Sequence, residues 1–307
     1  MLAAVRKAML GKHNVNYNKS NLEPSFKDDI CNEFSGSKFN LGNQNVATFV
    51  RNCNYCITLS HDNFNIRFIV PDESTVPHFM MIKSAKRIAA MCTIFSIPRF
   101  NVYIIPVPIP RKFPSKGIVS PDNINGGYTY IEGTDIYIYR QEEWPKVLLH
   151  EFLHRTIADS YSHWDHKKVA TFKSLYNIHS GTPLLMNEAV IEALAIVYHM
   201  SFLSLELGLD FKRLYTTEMQ WTRQQVERML LLQSKLPNQI WIEQSNAFAY
   251  IIIKYLLLKD ITRFLKIQPR DTKAVSELLL EQTLDVVASK KNSYVNASMR
   301  MTVFGDL

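Results

Sequence analysis

His150-Glu151-Phe152-Leu153-His154 is the stretch whose reading decides this chain. It lies in a helix-like run from Trp144 to Ser160, with Pro145 in a first turn that tolerates proline. Residues four apart on a helix stack on one face. Both imidazoles therefore leave the helix on the same side, close enough to grip one ion. Glu151 stands beside them, within reach of a water held by that ion. Val147, Leu148 and Leu149 give the helix an apolar flank to bury, and Phe152 and Leu153 continue it. Histidines in surroundings this dry need partners. A metal satisfies them; a core helix with two hydrogen-bonded histidines is the plain alternative.

Downstream, Gly181 to Ala195 reads as a second helix. Its Glu188 and Glu192 are four apart and share a face in a segment that is otherwise almost all apolar. Two acids in such a helix need a counter-charge or a metal. Two histidines, one glutamate and a water make a catalytic zinc set, with Glu188 as third ligand. Glu192 would then hold a ligand histidine through its other ring nitrogen.

His150-Glu151-Phe152-Leu153-His154 followed by Pro183-Leu-Leu-Met-Asn187-Glu188-Ala-Val-Ile-Glu192-Ala resembles the gluzincin metallopeptidases, the superfamily of thermolysin and the zinc aminopeptidases. The resemblance is specific over residues 144–195 and extends in layout over roughly 65–260. It implies an α+β, zincin-like fold, with a mixed β-sheet N-terminal lobe, a mainly helical C-terminal lobe and the active site between them. It implies Zn²⁺ on His150, His154 and Glu188, with Asn187 and Glu192 behind the ligands. The separation of His154 from Glu188 exceeds that of thermolysin, and Ala189 stands where many relatives have glycine. The oxyanion-binding tyrosine of the aminopeptidases has its nearest counterpart in Tyr250, one turn past Ser245 and Asn246; an aromatic in a helix stripe is the plain reading of it.

Two rival patterns compete for the third ligand. The metzincin pattern needs a histidine at position 160 and a glycine at position 157, where this chain has Ser160 and Ile157. The DNA-associated SprT-like proteases pair the motif with a later histidine, which His166, with His163 close by, faintly echoes. That family has no need of the Asn187-Glu188 helix.

The chain is 307 residues long, 47% apolar, with net charge +7 and a pI near 9.1. That is enough apolar material for a large core. The positive charges are scattered rather than blocked, so nucleic acid is not the expected partner. No stretch offers the roughly 18–20 uninterrupted apolar residues of a membrane span, and the apolar run near Arg6 and Lys7 is too short for a secretory signal. Four cysteines do not make a disulfide scaffold, so a reducing, intracellular setting is expected. Cys53 and Cys56 form a lone CxxC and read as ordinary thiols.

In order, residues 1–45 read as a partly irregular arm. Segments 47–59 and 63–70 alternate as a hairpin of strands, 76–95 as a helix and 101–107 as a strand ended by prolines. Residues 128–131 and 135–139 form a second hairpin just before the motif; the resemblance to gluzincins implies an edge strand there that binds extended substrate, and a plain hairpin with exposed tyrosines fits the residues equally well. Residues 46–195 are expected to form the N-terminal lobe, 196–288 a helical C-terminal lobe, and 289–307 a loosely held tail. Gly208 ends a helix, and Asp271 caps the last one. The expected function is a zinc-dependent peptidase acting on a peptide or protein, with Glu151 as general base and Tyr250 aiding the oxyanion. The alternatives are a structural or assembly protein that keeps the zinc site and engages an assembly partner, and the SprT-like protease.

Overall fold

The computed structural model describes residues 1–36, 43–130, 133–156, 158–159, 164–288, 293–295 and 297–305. Its sheet has six strands in the order β1-β2-β3-β4-β6-β5. These are β1 (Asn16–Asn21), β2 (Tyr55–His61), β3 (Phe64–Val70), β4 (Phe100–Ile104), β5 (Gly127–Thr129) and β6 (Asp135–Ile138). β2 and β3 form the first expected hairpin, with His61 opposite Phe64. β3, β4 and β6 run parallel, and β5 returns antiparallel to β6 as the edge.

Alternation along the strands gives the sheet two apolar faces. Leu59, Phe68, Val102 and Ile138 bury one face in the main core, against helix α4 (His78–Ile94) and helix α6 (Trp144–His154). Cys56, Ile69, Tyr137 and Tyr139 bury the other beneath α2 (Pro24–Gly36) and α3 (Asn43–Arg51). The segment expected as an arm thus supplies helix α2 and the edge strand β1, after a first helix α1 (Leu2–Met9). The expected strand 47–59 is half helix: α3 runs to Arg51 before β2 begins at Tyr55. Val46 and Val50 lie four apart on one helix face, and both are buried. Cys53 and Cys56 are buried too, and all four cysteines are free thiols. Cys53 donates to the Phe49 carbonyl, and burial pushes its thiol up to about 12.

The second lobe is helical: α7 (His166–Leu175), α8 (Met186–Leu207), α9 (Phe211–Gln233), a π-helical turn (Ala249–Ile253) continuing into α10 (Lys254–Lys259), α11 (Ile261–Phe264) and α12 (Thr272–Glu281). A one-turn helix, α5 (Pro121–Ile124), lies in the loop before β5. α8 is apolar nearly all round, which marks a buried helix. By length and composition it could also cross a membrane, but 78% of its most apolar window is inside the protein, as expected of a core helix. It ends at Gly208 in the left-handed region (φ 65°), and it runs unbroken through the lobe boundary expected at 195/196. Asp271 caps α12 through the Ala274 N–H.

Residues 297–305 correct the expectation of a loose tail. Met299 and Thr302 are fully buried. The segment pairs with residues 111–113 of the sheet lobe, through Phe113 N–H to the Ala297 carbonyl and Met299 N–H to the Arg111 carbonyl. On its other side Gln225 donates to the Ser298 and Arg300 carbonyls, and Lys254 Nζ to the Met301 carbonyl at 2.7 Å. These bonds use backbone groups, which composition does not reveal.

The whole is a mixed-sheet lobe followed by a largely helical lobe that carries the candidate metal cluster, a zincin-like two-lobe α+β architecture.

Candidate metal centre

Every residue of α6 from Trp144 to Leu153 is buried. Phe152 stacks edge-on against Phe95 and Phe100, and Trp144 against Phe68. These anchors fix the rotation of the helix, and the opposite face carries His150 and His154.

The Nε2 atoms of His150 and His154 are 3.1 Å apart, and each is 3.4 Å from Oε2 of Glu188. Tetrahedral zinc with bonds of roughly 2.0–2.1 Å separates its ligand atoms by roughly 3.4 Å. The three donors therefore match the edges of such a tetrahedron. The other ring nitrogens are tied back: His150 Nδ1 lies 2.8 Å from Glu192 Oε2, and His154 Nδ1 lies 2.8 Å from Asp159 Oδ2. Each carboxylate fixes the tautomer that leaves Nε2 with a lone pair aimed at the common point.

The carboxylates are themselves held. Lys146, one turn before His150, places Nζ 2.5 and 2.7 Å from the two Glu192 oxygens. Asn187 donates to Asp159 Oδ1 at 3.2 Å. The adjacent residues Asn187 and Glu188 thus serve one site in different ways.

Burial pushes Glu188 up, but the His154 charge and hydrogen bonds from both histidines outweigh it and hold the carboxyl well below its usual range. Burial pushes His154 down, and Glu188 and Asp159 reverse that. The cluster thus favours positive charge at its centre, and a divalent cation would take the place of the protons.

Glu151 is buried beside this point, and burial raises it above the ordinary carboxylate value, against the charges of His150 and His154. Strand β5 lies over it. A Cβ at Gly127 would meet the Tyr137 carbonyl at 2.8 Å, Val147 Cγ1 at 3.0 Å and Glu151 Cγ at 3.3 Å. Only glycine allows strand and helix to approach this closely. Tyr250 arrives from the π-helical turn. Its hydroxyl donates to Glu188 Oε2 at 3.0 Å, and its ring lies 5.6 Å from that of His150. Single π turns inside helices often mark functional positions, because they re-aim side chains.

All seven residues singled out in the sequence, His150, Glu151, His154, Asn187, Glu188, Glu192 and Tyr250, meet at this place. His166, the rival ligand, is exposed at the start of α7 and outside the cluster. His163 lies outside the described residues. Sequence reasoning missed Asp159, Lys146 and two residues nearby, Arg111 and Glu143. Lys146 had a usable signal: it lies one turn before His150 on the same face, in a helix otherwise apolar there.

Comparison with known protein families, with curated proteins and with solved structures finds no match to this chain. The assignment rests on geometry: His150-Glu151 with His154, and Glu188 from the next long core helix, form a zinc-binding motif of the gluzincin type.

Proposed function

We propose that this protein is a zinc-dependent peptidase that hydrolyses peptide bonds in an extended substrate. The observation that carries this is the convergence of two Nε2 atoms and one carboxylate oxygen, with both Nδ1 atoms tied to carboxylates. His150, His154 and Glu188 would hold the ion. Zinc bound there supplies a water of lowered pKa and polarises a carbonyl.

The protein's own residues do the rest. Glu151 accepts the proton of the attacking water and returns it to the leaving nitrogen. Tyr250 turns its hydroxyl from Glu188 to the oxyanion as charge develops there. The substrate backbone lies along β5. Tyr139 N–H donates to the Gly126 carbonyl, so Gly126 and Tyr128 face β6, while Gly127 and Thr129 turn their N–H and C=O groups outward. An extended peptide can pair with that edge. Four free thiols suit a reducing compartment.

The test is Glu151→Gln, which keeps shape and loses the base. Zinc content and fold should survive. Hydrolysis of unstructured peptides, found first from a broad library with the wild type, should fall at least about a hundredfold. Equal cutting by both forms would place the activity elsewhere. A wild type that holds zinc and cuts nothing would favour the scaffold reading, in which the site serves stability or assembly.

A further inference from the structure

A small cavity of about 30 Å³ adjoins the catalytic face of α6. Arg111, Gly126, Gly127, Glu151, Tyr250 and Met301 line it. Lys146 and Glu192 also border it, but as an ion pair already closed on itself. Whatever enters the cavity lies beside Glu151 and Tyr250, and so beside the bond to be cut.

Arg111 gives this cavity a chemical preference. It is 2% exposed. Its Nε donates to the Ile124 carbonyl at 2.6 Å, and its Nη1 to the Glu142 carbonyl and to Glu143 Oε2 at 3.0 and 2.6 Å. Its Nη2 has no partner among the described residues. That nitrogen lies against Gly126, where an added Cβ would come within 2.1 Å of it. The nitrogen keeps access to solvent at the cavity, and an oxygen entering there would take the place of water on it. Glu143 already balances the charge of Arg111, so the free donor selects an acceptor oxygen rather than a net anion.

Met301 sets the size. Its N–H donates to Glu143 Oε2 at 3.1 Å, and its carbonyl accepts from Lys254 Nζ at 2.7 Å. These bonds fix where the Met301 backbone stands at the edge of the cavity. The space it leaves holds roughly one or two waters, or one small polar group.

We propose that this cavity is the subsite for a small substrate side chain carrying a neutral acceptor oxygen, of the asparagine or serine kind. Arg111 Nη2 is its donor, and Met301 is the wall that excludes larger groups. The inference rests on the peptidase reading and adds a substrate class to it.

The experiment uses the full zinc-loaded chain carrying Glu151→Gln, so that peptides bind without being cut. Binding is measured by calorimetry for extended peptides in which each position in turn is Asn, Leu, Ala or Phe. Asn and Leu have nearly one shape and differ in the oxygen; Ala and Phe differ in size. At one position Asn should bind at least about tenfold tighter than Leu, and Ala tighter than Phe. Arg111→Lys keeps a cation for Glu143 and loses the second donor. It should erase the Asn–Leu gap and leave the Ala–Phe gap. Met301→Ala should do the reverse. If Arg111→Lys fails to fold, Gly126→Ala displaces the same nitrogen from the opposite side and should also erase the Asn–Leu gap. Peptides that bind with no such gap, or with a gap that neither variant moves, overturn the subsite and leave the peptidase reading standing; the cavity then holds only water. If no peptide binds, and the wild type cuts none, the peptidase reading fails and the subsite falls with it.

Discussion

At the scale of single residues, the metal cluster divides into atoms that would touch zinc and atoms that aim them. His150→Ala or Glu188→Gln removes a direct ligand. Either should strip most of the single zinc per chain, measured by mass spectrometry of metal content, whereas His166→Ala should leave it bound. Loss of zinc from His166→Ala with retention in Glu188→Gln would reverse the ligand assignment. Glu192 and Asp159 act one bond further out, each on a different histidine at 2.8 Å. Glu192→Ala and Asp159→Ala should each weaken zinc about 10–100-fold in competition with a chelator, while full occupancy returns at high metal. Unchanged affinity in both would make these contacts incidental ion pairs.

At the scale of elements, the site depends on how closely β5 lies on α6. Gly127 is the contact, and its alternative occupants can be ranked by what they meet. An alanine methyl there runs into the Tyr137 backbone carbonyl and Val147. Neither yields easily, because one is backbone in β6 and the other a core side chain. Gly127→Ala should therefore cost about 1–3 kcal/mol, the usual scale of overpacking. Denaturant midpoints of the zinc-loaded proteins measure it, and an unmoved midpoint would mean that β5 can lift from the helix. Helices α6, α8 and α12 were legible because their signals are local: four-residue spacing in α6 and α8, Gly208 at the end of α8 and Asp271 at the start of α12. Helix α3 was read as strand because a short apolar run fits both periods. The π-helical turn carries no signal in composition at all.

At the scale of the whole molecule, one buried acid joins distant parts of the chain and another closes a local turn. Glu218 of α9 accepts from the Thr302 hydroxyl at 2.6 Å and from the Val303 N–H, and burial raises it to about 7. Glu243 accepts from the Ala247 and Phe248 N–H groups, and burial raises it to about 7 as well. Both rise from an ordinary value of 4.5. Raised carboxyls bind protons more tightly in the folded state than in the unfolded one. Their contribution is thus fully present below pH 4.5 and is lost as pH rises to about 7, by up to roughly 3 kcal/mol for each group. With zinc saturating, unfolding free energy should fall across that window, and Glu218→Gln, neutral at every pH, should flatten its share of the slope. A slope unchanged by Glu218→Gln would mean that its carboxyl titrates near its ordinary value.

The sequence alone determined which residues could share a helix face: His150 with His154, and Glu188 with Glu192. That follows from helix geometry, which needs no knowledge of the rest of the chain. Composition likewise determined that the second half would be helical and that α8 would be buried. Tertiary structure alone decided which distant groups meet. Tyr250 reaches Glu188 across 62 positions, and Glu143 holds Met301 across 158. Asp159 became a partner of His154 through the turn of the chain after α6, and Arg111 came to line the cavity beside α6 while bonded to Glu143 and to the Ile124 and Glu142 carbonyls. No local period encodes such pairs; they arise when packing removes water from polar groups and each must find its partner inside the protein.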